Sequence, residues 1–316
     1  MPGIVPRAIA QASVRSAQVG LLSDRNPDAT ELLLLGAFRE GLREYGWVEG
    51  RNLTIVARYS GNDAARLDVL AVELVRAGPD AVFATTLPAA LAAMRSTRSV
   101  PVVFNVLPDP VEQGLVASLA RPGGNVTGVA INSSVLIPKR LQLLKEAMPG
   151  LARVAVLTDP RRDEACEAAW AALREPAGVM GIAIEKVVVA VEGDYRTAFE
   201  AMAGKRVEAV FVPATTQFYN DAPRIASLAQ LHHMVFLPSV GDVAEAQALI
   251  SYGPLQSEAY RRAALYVNRI LRGARPQTLP VEQPTRYELV LNLKVAKALG
   301  VTFPRAMRAR ADRLIE

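Results

Sequence analysis

Cysteine is nearly absent from this chain: Cys166 is the only one in 316 residues. A single thiol excludes an intrachain disulfide and a cysteine-rich metal site. Its neighbours Glu164, Ala165, Glu167 and Ala168 favour helix, so Cys166 reads as a small apolar residue on a helix face. Histidine is almost as scarce. His232 and His233 are the only two, and adjacent residues on a helix point apart, which leaves His-based zinc sites and Ser-His-Asp chemistry with little to build on. No apolar run reaches the roughly 18 residues that a membrane-spanning helix needs. Neither sign of charge dominates: 36 Lys+Arg face 31 Asp+Glu, for a net charge of +5. The arginines are spread along the chain and form no stripe of the kind nucleic acid requires, so no nucleic-acid partner is expected.

Enzyme fingerprints are missing as well. The first apolar run, Val19-Gly20-Leu21-Leu22-Ser23-Asp24, holds one glycine where a dinucleotide site needs GxGxxG. No GxxxxGK[ST] phosphate loop and no G-x-S-x-G nucleophile elbow occurs. These absences predict no cofactor, no metal and no catalytic residue. The first 16 residues carry Arg7 and Arg15 without a continuous apolar core, so they do not read as an intact secretory signal.

What the chain does contain is a repeated pattern. Residues of the hydrophobic class make up 51% and charged residues 21%, the balance of a globular protein. Its length accommodates two domains. Short β-branched runs at 18–22, 53–59, 81–84 and 100–105 alternate with helical stretches at 30–45, 64–77 and 88–96. After the turn-rich stretch Arg121-Pro122-Gly123-Gly124-Asn125-Val126-Thr127-Gly128 the pattern restarts, with runs at 153–157, 184–189, 209–212, 235–237 and 248–252 and helices at 134–148, 164–179, 195–204 and 224–232. Long helices are predicted over 257–272 and 287–299. Near-continuous apolar strands separated by helices specify parallel sheets covered on both faces. The expected fold is therefore α/β, with two doubly wound Rossmann-like lobes joined by a hinge. Lobe 1 is assigned to 17–128 plus 254–280 and lobe 2 to 129–253 plus 281–316.

Ligands of open parallel sheets bind beyond the carboxyl ends of the strands. The strand tips therefore nominate Ser23, Thr85, Thr86, Asp109, Asp159, Thr215, Gln217, Tyr219, Ser239 and Tyr252 as ligand-binding residues. Thr86 reads as a helix N-cap with Pro88 in the first turn, where free N–H groups suit a carboxylate. Capping alone also accounts for a threonine there. Asp109 and Asp159 precede Pro110 and Pro160 and are suited to receive an ammonium or hydroxyl group, although Asp-Pro is equally a plain turn initiator. Thr215, Gln217 and Tyr219 form a polar loop whose aromatic ring can stack on a planar ligand. Trp47 falls at the far end from this cleft and reads as packing. Thr86→Ala or Asp109→Ala is expected to weaken binding without unfolding the protein.

Five strings carry a resemblance: GAFREGLREYGWVEGRNLTI, PDPVEQGLVASLARPGGNVTGVA, KRLQLLKEAMPGLARVAVLTDP, SYGPLQSEAYRRAALYVNRILRGARP and LPVEQPTRYELVLNLKVAKALGV. Through them the chain, from about Gln18 to Glu316, resembles the substrate-binding proteins of ABC importers of the tryptophan/tyrosine type, a branch of the type I periplasmic binding fold. The resemblance implies a non-catalytic, periplasmic solute receptor that closes on a small carboxylate-bearing metabolite, such as an aromatic amino acid or aromatic acid, and docks on an ABC transporter permease. The strand-tip reading leaves two alternatives: a ligand-sensing subunit of a signalling system, or an α/β enzyme using Asp109 and Asp159 as a carboxylate pair.

Overall fold

The computed structural model describes residues 16–159, 163–189, 194–239 and 247–316. The expectations placed on the first 15 residues and on Pro160 lie outside these. The first half forms a five-stranded sheet of β1 (Ala17–Ser23), β2 (Leu53–Tyr59), β3 (Ala81–Ala84), β4 (Val102–Val106) and β5 (Val126–Ala130). All its strands are parallel and their order is β2-β1-β3-β4-β5. The second half repeats the plan with β6 (Arg153–Thr158), β7 (Ala183–Val188), β8 (Ala209–Val212) and β9 (Val235–Pro238), parallel and ordered β7-β6-β8-β9. In both sheets the chain steps outward by one strand and then crosses back over the first. The place where it reverses, between β1 and β3 or between β6 and β8, is the crevice where such sheets take ligands.

Helices cover both faces of the first sheet, as near-unbroken burial of its strands requires. On one face α1 (Ala29–Glu44) packs with α9 (Gln256–Leu271), and their apolar residues Phe38, Leu42, Tyr260 and Val267 share one core with Val19 and Phe83 of the sheet. On the other face α2 (Ala64–Arg76) and α3 (Leu87–Ser96) pack through Leu67, Leu74, Ala89 and Ala93. The second sheet is covered in the same way by α4 (Ile137–Ala147) and α5 (Asp163–Val179) on one face. On its other face lie α6 (Tyr195–Gly204), α7 (Thr216–Asn220) and α8 (Ala222–Leu231). The chain is thus two lobes, and α9 is contributed to the first lobe by the second half of the sequence. Trp47 packs as expected: it is 7% exposed, and its Nε1 donates to Asn268 Oδ1 of α9 at 3.0 Å.

Two expectations are corrected. The stretch 121–128 is not where the halves meet, because β5 begins at Val126 and pairs with β4; the chain leaves the first sheet only after Ala130. Gly128 fits there because its φ is +157° and a Cβ would fall 2.1 Å from the Phe104 carbonyl oxygen of the neighbouring strand. The helix expected over 287–299 is a strand followed by a helix: β11 (Glu288–Asn292) runs into α10 (Leu293–Ala298). Leucine spacing favoured helix, but β11 is central in a small sheet, antiparallel to β10 (Ile250–Gly253) and parallel to β12 (Arg313–Ile315). Pairing on both edges overrides local preference. Asn292, whose side chain accepts from Val295 N at 3.0 Å, marks the true helix start.

Candidate functional site

A cavity of about 700 Å³ lies at the carboxyl ends of both parallel sheets. The first lobe contributes Arg25 after β1, Thr85 and Thr86 after β3, and Asn105 and Asp109 at and beyond the end of β4. The second contributes Thr215 and Tyr219 after β8 and Ser239 after β9. Between these polar groups the wall is apolar, with Leu87, Leu107, Ile137, Ala169, Phe218 and Phe236. A mostly apolar cleft with a few convergent polar groups is the usual form of a small-molecule site.

The two lobes present matching threonines. Thr86 caps α3, accepting from Ala89 N at 3.4 Å, and Thr215 caps α7, accepting from Phe218 N at 3.1 Å. Each follows the third strand of its sheet. Thr86 has a second task, because its hydroxyl donates to Asp24 Oδ1 at 2.6 Å. Asp109 accepts from Val111 N at 2.8 Å and is half-buried beside the cavity. Asn105 and Ser239 are each 3% exposed, and the Oδ1 of the first and the Oγ of the second have no hydrogen-bond partner among the described residues. Buried polar atoms without partners are uncommon, and both belong to residues of the cavity wall.

Six of the ten nominated residues line the cavity: Thr85, Thr86, Asp109, Thr215, Tyr219 and Ser239. Four do not. Ser23 is fully buried and shapes the β1 loop by accepting from Arg25 N at 3.2 Å. Asp159 is 1% exposed, with its backbone N–H on Cys166 Sγ at 3.4 Å. Gln217 is buried within the second lobe. Tyr252 stacks on Tyr287 with ring centroids 6.2 Å apart, and its carbonyl accepts from Arg140 Nε at 2.8 Å. The side-chain period of a strand tip decides which neighbour faces the cavity, and that choice is invisible in a tip read as a block. The Asp109–Asp159 pair suggested for an enzyme is therefore not assembled on the cavity wall.

Sequence reasoning missed Arg25, Asn105 and Gln256. Arg25 is a cation of the cavity wall only 4% exposed. Its Nη1 lies 3.3 Å from Glu31 Oε2. Burial opposes its charge, but Tyr219, Tyr260, Glu31 and Asp24 more than offset that cost and raise its pKa. For Glu31 the order is reversed: burial raises its pKa, and Arg25 offsets this only in part. Asn105 Nδ2 donates to Gln256 Oε1 at 3.1 Å. A single arginine directly after a strand tip was the available signal for the first. Nothing local signalled Gln256, which arrives from 151 positions away.

A sequence profile of the ABC transporter substrate binding protein family matches residues 28–315. A tyrosine-binding protein of Clostridioides difficile (strain R20291) is 24% identical over 264 residues, 84% of this chain and 75% of that protein. Among solved structures, the ABC domain from Streptococcus pneumonia in complex with L-Trp has a TM-score of 0.85 at 24% identity, covering 95% of this chain and 100% of that one. A conserved domain protein from Vibrio cholerae gives 0.84 at 25% identity with the same coverage. The ligand-free, open structure of a substrate binding protein with adhesive properties from Clostridium difficile gives 0.70 at 22% identity, covering 95% and 99%.

Proposed function

The chain belongs to the family of ABC transporter substrate binding proteins, and from that premise we propose that it serves an importer, capturing a small carboxylate-bearing metabolite in the cavity between its lobes. Its relatives are substrate-binding proteins rather than enzymes. The observation that carries the reading is the cavity itself, which both sheets line from the carboxyl ends of their strands. A ligand touching both walls favours the closed arrangement by the contacts that exist only there.

An aromatic amino acid is the leading candidate. Its ring suits the apolar wall and Tyr219. Its carboxylate suits the first turn of α3, where the helix dipole favours negative charge. Its ammonium suits Asp109 and the unpartnered Oδ1 of Asn105. Relatives described as tyrosine-binding or solved with L-Trp support the same class. The lobes are assigned to 17–130 with 254–280 and 131–253 with 281–316, the first boundary moved past Ala130 because β5 pairs with β4. The receptor works outside the cytoplasm, in the periplasm, and delivers its ligand to an ABC permease. No described helix is long and apolar enough to cross a membrane.

The test is a thermal-shift panel of L-tryptophan, L-tyrosine, L-phenylalanine and aromatic carboxylic acids, followed by calorimetry. At 100 times Kd a ligand adds about 2.7 kcal/mol to stability, enough for a shift of a few degrees in a chain of this size. Silence across the panel refutes the assignment of ligand class.

A further inference from the structure

We propose that Arg25 and Tyr219 form an interlobe latch, a stacked cation–aromatic pair that favours the closed arrangement of the lobes. The inference rests on the two-lobed receptor reading but not on the identity of its ligand. The residues stand 194 positions apart in the chain, yet the Arg25 guanidinium carbon lies 3.8 Å from the centroid of the Tyr219 ring. Each is anchored to its own lobe. Arg25 follows β1, its backbone N–H bonds Ser23 Oγ, and its guanidinium is pinned by Glu31 in the first turn of α1. Glu31 is itself held: its backbone N–H bonds the cap Asp28, and the Tyr260 hydroxyl of α9 lies 3.4 Å from Oε2. Tyr219 lies on α7, next to Phe218 in the core of the second lobe. Moving the lobes apart therefore draws the guanidinium away from the ring, because Arg25 is pinned in the first lobe and Tyr219 is carried by α7 of the second.

The geometry suits arginine in particular. A planar guanidinium stacks on an aromatic face and sheds water more readily than an ammonium, and a desolvated pair of this kind is among the stronger non-covalent contacts available to a protein. The pair also lines the cavity. The latch therefore sits at the cavity wall and not at a remote rim. Its effect on affinity is general. A ligand that needs the closed form binds with an apparent Kd divided by the closed fraction, so weakening the latch lowers affinity for every ligand by up to one common factor. Losing a direct ligand contact would instead discriminate between ligands.

The experiment is small-angle X-ray scattering on the ligand-free full chain, as wild type, Tyr219→Phe, Tyr219→Leu and Arg25→Lys, with circular dichroism melts to show that each is folded. Tyr219→Phe keeps the ring and is expected to scatter as wild type. Tyr219→Leu removes the aromatic face and is expected to shift the closed-to-open ratio toward open by about 30-fold, equivalent to about 2 kcal/mol, seen as a larger radius of gyration. Arg25→Lys keeps the charge beside Glu31, loses the planar stack, and is expected to shift in the same direction. Wild-type scattering from Tyr219→Leu overturns the proposal, and so does a wild-type protein already fully open without ligand. The ligand panel judges the solute-receptor reading separately, so failure of one leaves the other standing.

Discussion

Replacing Thr86 with valine removes one hydroxyl and keeps the branched shape, which isolates what that oxygen does. In the structure it donates to Asp24 Oδ1 at 2.6 Å and accepts from Ala89 N at 3.4 Å. The first bond reaches a carboxylate that is 1% exposed, and a hydrogen bond to a charged group contributes about 1.5–3 kcal/mol. The second is a long helix cap, at the low end of the capping range, about 0.5–1 kcal/mol. The expected loss is therefore about 2–4 kcal/mol. With an unfolding entropy of about 2.1 cal/mol/K per residue over 316 residues, that corresponds to a fall in Tm of about 3–6 °C. Urea unfolding followed by circular dichroism measures it, and Thr86→Ser, which keeps both bonds, should stay within about 0.5 kcal/mol of wild type. A valine variant as stable as wild type refutes the reasoning. Thr86 lines the cavity and its hydroxyl also joins the loops after β1 and β3, so Thr86→Ala is expected to lower stability as well as binding while the protein stays folded.

Gly128→Ala should be far more damaging, since its Cβ would meet the Phe104 carbonyl oxygen at 2.1 Å and the Phe104 nitrogen at 2.6 Å. A loss above about 4 kcal/mol is expected, read as soluble yield and urea midpoint; normal yield with an unchanged midpoint contradicts it. Trp47→Phe breaks the bond to Asn268 Oδ1 but leaves that oxygen bonded to Arg272 Nε, so a cost of about 1–2 kcal/mol is expected by the same unfolding assay, and a neutral result would show that the bond to Asn268 adds nothing to stability. Alkaline stability should fall steeply. Burial raises the Tyr59 phenol to about 12 and pushes Tyr195, Tyr260 and Tyr266 upward as well. Between the unfolded value near 10 and the folded values the unfolded chain binds fewer protons, so stability declines as pH rises. Melts from pH 8 to 11.5 measure this, and a flat Tm above pH 10 contradicts it.

Much of this fold is legible in the residues because its signals are local. Alternating apolar runs and helical stretches specify covered parallel sheets, and the caps at Thr86 and Thr215 follow from threonines placed between a strand and a helix. The misreading of 287–299 shows the boundary of such reasoning. Leu289, Val290 and Leu291 carry no local mark of strand over helix, and only β10 and β12 on either side supply the hydrogen bonds that decide it.

The chain alone determined the class of architecture, the family to which it belongs and the strand tips from which its cavity is built, since each of these is written in residues close together in sequence. Tertiary structure decided which residue of each tip turns inward, where the first sheet ends, and that Arg25 meets Tyr219 and Asn105 meets Gln256. The first pairing depends on how the two lobes face each other, and the second on α9 returning to the first lobe from the second half of the chain. Spatial neighbours brought together by packing leave no periodicity, motif or spacing from which they could be read beforehand.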